Sequence, residues 1–233
     1  MSEELDFERA WLGKFSARLD EVVGEQIREQ VLVGSEALTS ESPRETVIDW
    51  TKGAMDRLDS LVGQVDRRAI MTGCACQYPT DALQDVRKAY QESGDIYLAH
   101  DMLQGQFESF LREGLRLDDG LVAAIVGRGW GSAGVKRGDT IIGTKIPKSG
   151  NLLAYIGETD PARKRQLYCH CPRVREVLGS STTISPTYCY CGAGFYKGIW
   201  EQILGQPVEV EVLETVLRGD EVCKFAIYLP SAL

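Results

Sequence analysis

From Leu5 to about Leu32, Phe7, Trp11, Phe15, Leu19, Val22, Val23 and Ile27 recur at steps of three and four residues. That spacing places them on one face of an amphipathic helix. Gly13 and Gly24 interrupt the stripe, and each weakens a helix by about 1 kcal/mol relative to alanine. Ser40-Glu41-Ser42-Pro43-Arg44-Glu45 predicts a loop and a helix start with Pro43 in the first turn. Val47, Trp50, Met55, Leu58 and Leu61 then form a second helical face. A third helix is predicted after Pro79-Thr80-Asp81, with Thr80 capping its free amides and Leu83, Val86, Ala89 and Tyr90 turned inward. A fourth runs from about Ile96 to Leu115, with Leu98, Met102, Phe107, Phe110 and Leu111 inward.

Near Leu117 the pattern changes. Leu121 to Val126 is a short apolar run, followed by Gly127-Arg128-Gly129-Trp130-Gly131-Ser132-Ala133-Gly134. Thr140–Ile146 and Asn151–Ile156 read as strands around the turn Pro147-Lys148-Ser149-Gly150. Ala193 to Leu204 returns to helix, with Phe195, Ile199, Ile203 and Trp200 facing inward, and Gly205-Gln206-Pro207 stops it. Val208, Val210, Val212 and Leu213 alternate with Glu209 and Glu211, Glu214 closes that strand, and Gly219-Asp220 turns the chain into a last strand, Val222–Leu229. This is an antiparallel hairpin with one charged face. The expected fold class is α+β: a helical region over 1–116 packed on a small-molecule-binding α/β module over 117–233, the two forming one compact unit.

Composition leaves the class open but removes several functions. The chain has 233 residues, 43% hydrophobic and 26% charged, as in ordinary globular proteins. Its net charge of −8 opposes nucleic acid and anionic membrane as default partners. No apolar run approaches the roughly 18 residues of a membrane span. The start, Met1-Ser2-Glu3-Glu4-Leu5-Asp6, is acidic where a secretory signal is basic and then apolar. The expectation is a cytoplasmic protein whose thiols stay reduced, with disulfides as the rival reading.

Cysteine placement carries the chemistry. Five of the seven cysteines lie between Tyr168 and Leu229. Tyr168-Cys169-His170-Cys171-Pro172 leads into about a turn of helix and a polar loop, then comes Tyr188-Cys189-Tyr190-Cys191-Gly192. Cys223 follows in the last strand, and a third pair, Cys74-Ala75-Cys76, sits far upstream in the turn before the third helix. Thiolates bind zinc tetrahedrally and also hold iron–sulfur clusters. Zinc ribbons use Cys-x-x-Cys pairs about 15–20 residues apart; here the late pairs are one residue tighter. In extended chain residues i and i+2 share a face, so both sulfurs of a pair can enter one site, and a tight turn serves equally. Cys169, Cys171, Cys189 and Cys191 are the first-choice ligands, with Cys74, Cys76 and Cys223 brought in by folding. Six paired thiols exceed the four ligands of one structural zinc. Either two sites exist or some thiols stay free. Buried inert thiols are the plain alternative.

Other features weigh less. In extended chain the His170 ring points away from its flanking cysteines, which favours a supporting or surface place over ligation, and His100 falls within a predicted helix. Gly129-x-Gly131-x-x-Gly134 matches the dinucleotide fingerprint in form, but no helix starts at these glycines to meet a pyrophosphate. A mobile loop, one that can lie over a ligand, is the better account. Arg163, Lys164, Arg165, Arg173 and Arg175 cluster around the first late pair and either favour thiolate or an anionic ligand or form a solvated face. No Ser-His-Asp order or His-Glu-x-x-His motif is present, and no residue is assigned a catalytic role.

Gly192-Ala193-Gly194-Phe195, a helix, a strand ending in Glu214, and Gly219-Asp220-Glu221-Val222-Cys223-Lys224-Phe225 resemble the 4-vinyl reductase-type domain. The whole Tyr168–Pro230 region is also similar to a bacterial and archaeal family of unknown function with the same Cys-x-Cys pairs, which in turn resembles L-2-amino-thiazoline-4-carboxylic acid hydrolases. The first resemblance implies helices on an antiparallel sheet, a buried pocket for a small hydrophobic or aromatic molecule, and a homodimer. It also implies a zinc held partly by cysteines, one of them matched by Cys223. The other falls where this chain has Thr215, a place that Cys189 and Cys191 are candidates to fill.

The expected function is a metal-binding protein, zinc favoured and an iron–sulfur cluster the alternative, that holds a small-molecule ligand beside its cysteines. Phe195, Trp200, Glu214 and His170 are the expected ligand-binding residues. A metal- or thiol-dependent enzyme, hydrolase or reductase, is the second reading. A structural metal in an interaction module is the third.

Overall fold

The computed structural model describes residues 6–230. The acidic start up to Leu5, where the first helix was expected to begin, and the side chain of Phe7 lie outside the described residues. The fold is α+β, with helices ahead of and around a four-stranded antiparallel sheet.

The first expected helix is two. Asp6 caps α1 (Phe7–Val23) by accepting from the Arg9 amide at 3.0 Å. Gly24, at φ 83°, ends it, its N–H turning back to the Leu19 and Asp20 carbonyls. A left-handed φ of this kind suits glycine, and α2 (Glu25–Val31) restarts beyond it. The second expected helix is α3 (Arg44–Leu61), with Pro43 at the cap position; Val47, Met55 and Leu58 are buried, while Leu61 is exposed. A helix absent from the sequence reading follows, α4 (Gln64–Gly73), which buries only Ile70 and Met71 against α1 and a later helix. Cys74 caps its C-terminus.

Thr80 makes no side-chain cap; a 3₁₀ turn over Asp81–Leu83 leads into α5 (Gln84–Ser93) instead. Asp95 caps α6 (Ile96–Ser109), accepting from the Tyr97 and Leu98 amides, and the helix runs into a π-helical turn over Phe110–Gly114. Its inward face is Ala99, Leu103, Phe107 and Leu111, which leaves Leu98 and Phe110 exposed, contrary to the expected register. His100 is half-buried with Nε2 3.0 Å from the Gly134 carbonyl.

The apolar run is a helix, α7 (Asp119–Gly127), capped by Asp118. The glycine-rich loop behind it is packed, which corrects the mobile-loop reading. Trp130, Ser132 and Ala133 are buried, the Gly131 amide donates to Thr144, and the Gly131 carbonyl accepts from Tyr196 Oη at 3.0 Å. A Cβ on Gly131, at φ 141°, would meet the Phe107 ring at 2.7 Å. Strands β1 (Val135–Arg137) and β2 (Thr140–Thr144) follow as a hairpin. The expected strand Asn151–Ile156 is instead helix α8 (Leu152–Gly157), with Leu152 and Tyr155 buried on one side.

Two short helices come next, α9 (Pro161–Tyr168) and α10 (Pro172–Val177), then α11 (Tyr190–Leu204), β3 (Glu209–Glu214) and β4 (Lys224–Tyr228). The strand order is β1-β2-β4-β3, so β4 lies in the middle, paired from Thr140↔Tyr228 on one side and Glu209↔Tyr228 on the other. Helix α11 covers one face: Gly143 of β2 lies flat against the Tyr196 ring, and Phe225 touches Gly192. One hydrophobic cluster runs from Trp11 and Phe15 through Leu58 and Met71 to Trp200 and Phe225, joining residues of both halves. Among the described residues no helix is long and apolar enough to cross a membrane.

Candidate functional site

All seven cysteines are free thiols. Six of them, Cys76, Cys169, Cys171, Cys189, Cys191 and Cys223, line one cavity of about 140 Å³. They arrive from four separate stretches. Cys76 follows α4. Cys169 and Cys171 stand between α9 and α10 with extended backbone at both residues, as the i, i+2 argument requires. Cys189 is the N-cap of α11 and Cys191 lies in its first turn. Cys223 immediately precedes β4. The second pair thus uses a helix start, where the helix dipole favours anionic sulfur.

Cys74 does not join them. It is buried in the hydrophobic cluster, its Sγ–H donating to the Ile70 carbonyl at 3.3 Å. Its own carbonyl accepts from Cys191 Sγ at 3.6 Å.

The thiols act on one another. Cys189 neighbours Cys223, Cys169 and Cys171; Cys169 neighbours Cys171 and Cys223; Cys191 neighbours Cys171, Cys76 and Cys74. Burial is the first cause that pushes Cys169, Cys189 and Cys223 above an ordinary thiol, and it raises Cys191 to about 12. Lys145, also in the lining, works the other way on Cys169, Cys191 and Cys223. Its ammonium lies 5.3 Å from the centre of the Phe195 ring.

Aromatic rings make the rest of the wall: Trp11, Tyr168, Tyr188, Phe195 and Phe225. The two tyrosines do more than fill space. Tyr168 is fully buried; its hydroxyl donates to the Lys145 carbonyl at 2.5 Å and accepts from the Cys223 amide at 3.0 Å. It therefore ties the segment after β2 to the one before β4. The Tyr188 hydroxyl accepts from Cys171 Sγ at 3.3 Å and from Arg173 Nη1 at 3.4 Å. Each tyrosine directly precedes a cysteine pair, and that repeated Tyr-Cys-x-Cys was the signal available in sequence. Trp11 stacks on Tyr188 with ring centres 5.6 Å apart. Its indole N–H is buried without a hydrogen-bond acceptor of ordinary geometry, yet close enough to Cys191 to favour a thiolate there.

The basic cluster divides. Arg173 is fully buried, ion-paired with Glu8 of α1 and 4.2 Å from the centre of the Trp11 ring, so it is no solvated face. Glu8 also accepts from Arg44 at 2.7 Å. Lys164 lies over Tyr155, and Arg163 bonds Gln166.

Of the expected ligand-binding residues, Phe195 and His170 line the cavity. His170, expected to turn from the site, stands at its edge with Nε2 2.8 Å from the Ile146 carbonyl. Desolvation first, then the Lys145 charge, lowers its pKa to about 4. Trp200 is wholly buried in the core and Glu214 pairs with Lys224 at 2.5 Å; neither lines the cavity. Thr215, in the place where the resemblance implies a cysteine, is buried, its hydroxyl accepting from the Arg218 amide at 3.2 Å and close enough to Cys189 to favour a thiolate there.

Among the described residues, no three His, Cys, Asp or Glu side chains already stand around one point as a bound ion would hold them. Residues 161–232 match the model of a family of unknown function (DUF6144). No curated protein and no solved structure matches the chain.

Proposed function

We propose that this chain binds a soft metal ion, zinc favoured, through Cys169, Cys171, Cys189 and Cys191, with Cys223 and Cys76 beside them, in a pocket that also receives a small organic molecule. One observation carries the reading: six of seven cysteines, from four stretches of chain, line a single small cavity. A lone inert thiol buries itself as Cys74 does, and six converging ones have no such account. Thiolate sulfur is the preferred donor for zinc and for iron–sulfur centres. The buried Trp11 N–H supports the same reading, because a metal-bound thiolate at Cys191 gives it an acceptor.

A nucleophilic or redox thiol is less favoured. Such a group needs a depressed pKa, whereas burial moves Cys169, Cys189, Cys191 and Cys223 upward. A metal supplies what the protein does not, displacing the proton outright. For the organic ligand, the support is size and lining. An apolar cavity of about 150 Å³ admits benzene, and this one has about 140 Å³ with five aromatic rings in its walls. The stretch whose residues resemble 4-vinyl reductase-type domains, Gly192–Phe225, contributes Cys223, Phe195 and Phe225 to this wall. A reducing compartment such as the cytoplasm keeps this set of thiols available.

Elemental analysis and the ultraviolet–visible spectrum of protein purified without oxygen test the reading. Colourless protein with stoichiometric zinc supports it. A brown protein with iron replaces zinc by an iron–sulfur cluster. Protein that neither carries nor takes up any thiophilic metal sinks it.

A further inference from the structure

We propose that the organic molecule this cavity takes is a small aromatic carboxylate, with its ring among the apolar walls and its carboxylate paired with Lys145. The proposal rests on the organic-ligand half of the reading above and adds the chemical class. It does not depend on the metal.

The polar groups of the lining are one-sided. No Asp, Glu or Arg lines the cavity, and Lys145 is its only charged side chain, since His170 is neutral near pH 7. Among the described residues no carboxylate is ion-paired with Lys145; its ammonium lies instead over the Phe195 ring, 5.3 Å from the centre. A second donor in the wall is also unmet. Trp11 is 5% exposed, and its indole N–H has no hydrogen-bond acceptor among the described residues. A pocket with donors to spare suits a ligand that brings acceptors, and a cation drawn from water without compensation is costly. In the metal-free chain the thiols do not supply the missing charge, because burial keeps Cys169, Cys189, Cys191 and Cys223 protonated.

Lys145 is also fixed in place. It follows directly on β2, where its N–H donates to the Cys223 carbonyl at 3.1 Å and its own carbonyl accepts from the buried Tyr168 hydroxyl at 2.5 Å. The backbone is thus pinned to the cavity wall on both sides, which leaves only the side chain to adjust. The residue is half-buried, at the boundary between water and the aromatic lining. A single benzene-sized ring fills a cavity of about 140 Å³. A carboxylate on that ring then meets the ammonium at the boundary, where a charge-assisted hydrogen bond is stronger than in open water.

Isothermal titration of the reduced, metal-free full chain with benzoate and with benzamide, its neutral analogue of nearly equal shape, is the test. Benzoate is expected to bind about 10-fold or more tightly. Lys145→Met keeps the apolar stem and the backbone bonds, and is expected to lose that preference while still binding benzamide. Lys148→Met removes a neighbouring cation that does not line the cavity, and is expected to retain the preference. Equal affinity for the two probes in the wild type overturns the proposal, as does a preference that survives in Lys145→Met or disappears equally in Lys148→Met. A metal-free chain that takes up neither probe overturns it as well. Should the zinc-loaded chain also take up neither, the organic-ligand reading falls with it, so the two failures are told apart.

Discussion

The sulfur of Cys171 and the hydroxyl of Tyr188 stand 3.3 Å apart, so the residue before the second cysteine pair holds a member of the first. Outer partners of this kind fix the direction of a metal ligand. Tyr188→Phe retains the ring and its stack on Trp11 but removes the acceptor. The expected result is a metal affinity about 10–100-fold lower, measured by competition with a chelator. Loss of the buried hydrogen bonds is expected to cost about 1–3 kcal/mol in the metal-free protein. An unchanged affinity would reduce Tyr188 to part of the wall.

Behind that tyrosine lies a buried charge. Arg173 is fully buried and pairs with Glu8, which draws α1 and its Trp11 onto the cavity. Removing one partner of a buried pair leaves a charge in the interior, at a cost of about 3–5 kcal/mol, whereas an apolar pair of similar volume is often nearly neutral. Glu8→Gln is accordingly expected to shift the urea midpoint far more than Glu8→Leu combined with Arg173→Met. Arg44 has Glu176 at 3.2 Å to fall back on. Equal losses in the two variants would mean that packing, and not charge, holds α1 in place.

Much of this arrangement was legible in sequence where a single periodicity ruled. Val47, Met55 and Leu58 predict α3, and the alternation Val208 to Leu213 predicts β3, because each has one apolar face. Leu152 to Ile156 misled because it is apolar on every side. Leu152 and Tyr155 go inward at helical spacing, while Leu153 and Ile156 stay exposed. Helix α4 escaped notice because tertiary packing of just Ile70 and Met71 stabilises it. The repeated pairs announced that thiols converge, but not which. Cys74 and Cys76 are two residues apart, yet the first turns into the core and the second to the cavity, since α4 ends at Cys74 and the backbone changes direction there. Trp200 was drawn toward the site as an aromatic residue of a nearby helix and Glu214 by the resemblance; helix facing and the Lys224 pairing place them elsewhere.

Two glycines of α11 are expected to behave oppositely. A Cβ on Gly194 would run into the backbone carbonyl of Thr72, which cannot swing aside as a side chain can. Gly194→Ala must part α11 from the end of α4, shifting the Cys76 segment. Overpacking of this kind costs typically about 1–3 kcal/mol, and metal uptake is expected to weaken with it. Gly198 meets nothing within 4 Å, so Gly198→Ala is expected to stabilise the helix by about 0.4–1 kcal/mol. Thermal unfolding of the two variants beside the wild type decides; a tolerated Gly194→Ala would show that the α4–α11 contact can open without harm.

Metal removal and alkaline pH are expected to act together. Cys169, Cys189, Cys191 and Cys223 titrate higher in the folded metal-free protein than the roughly 8.5 of a free thiol. Above that value the unfolded chain sheds protons that the folded chain still holds, so stability falls as pH rises. The contribution is complete below about 8.5 and is lost on the way to about 12 for Cys191. Tyr168 and Tyr188, also raised by burial, add to the loss in the same direction. With zinc bound the sulfurs are already deprotonated, so this alkaline loss shrinks, and acid becomes the destabilising side as protons compete with the ion. Urea midpoints at pH 7 and pH 10, with and without zinc, measure the difference. A metal-free protein as stable at pH 10 as at pH 7 would show that these thiols are not held neutral by the fold.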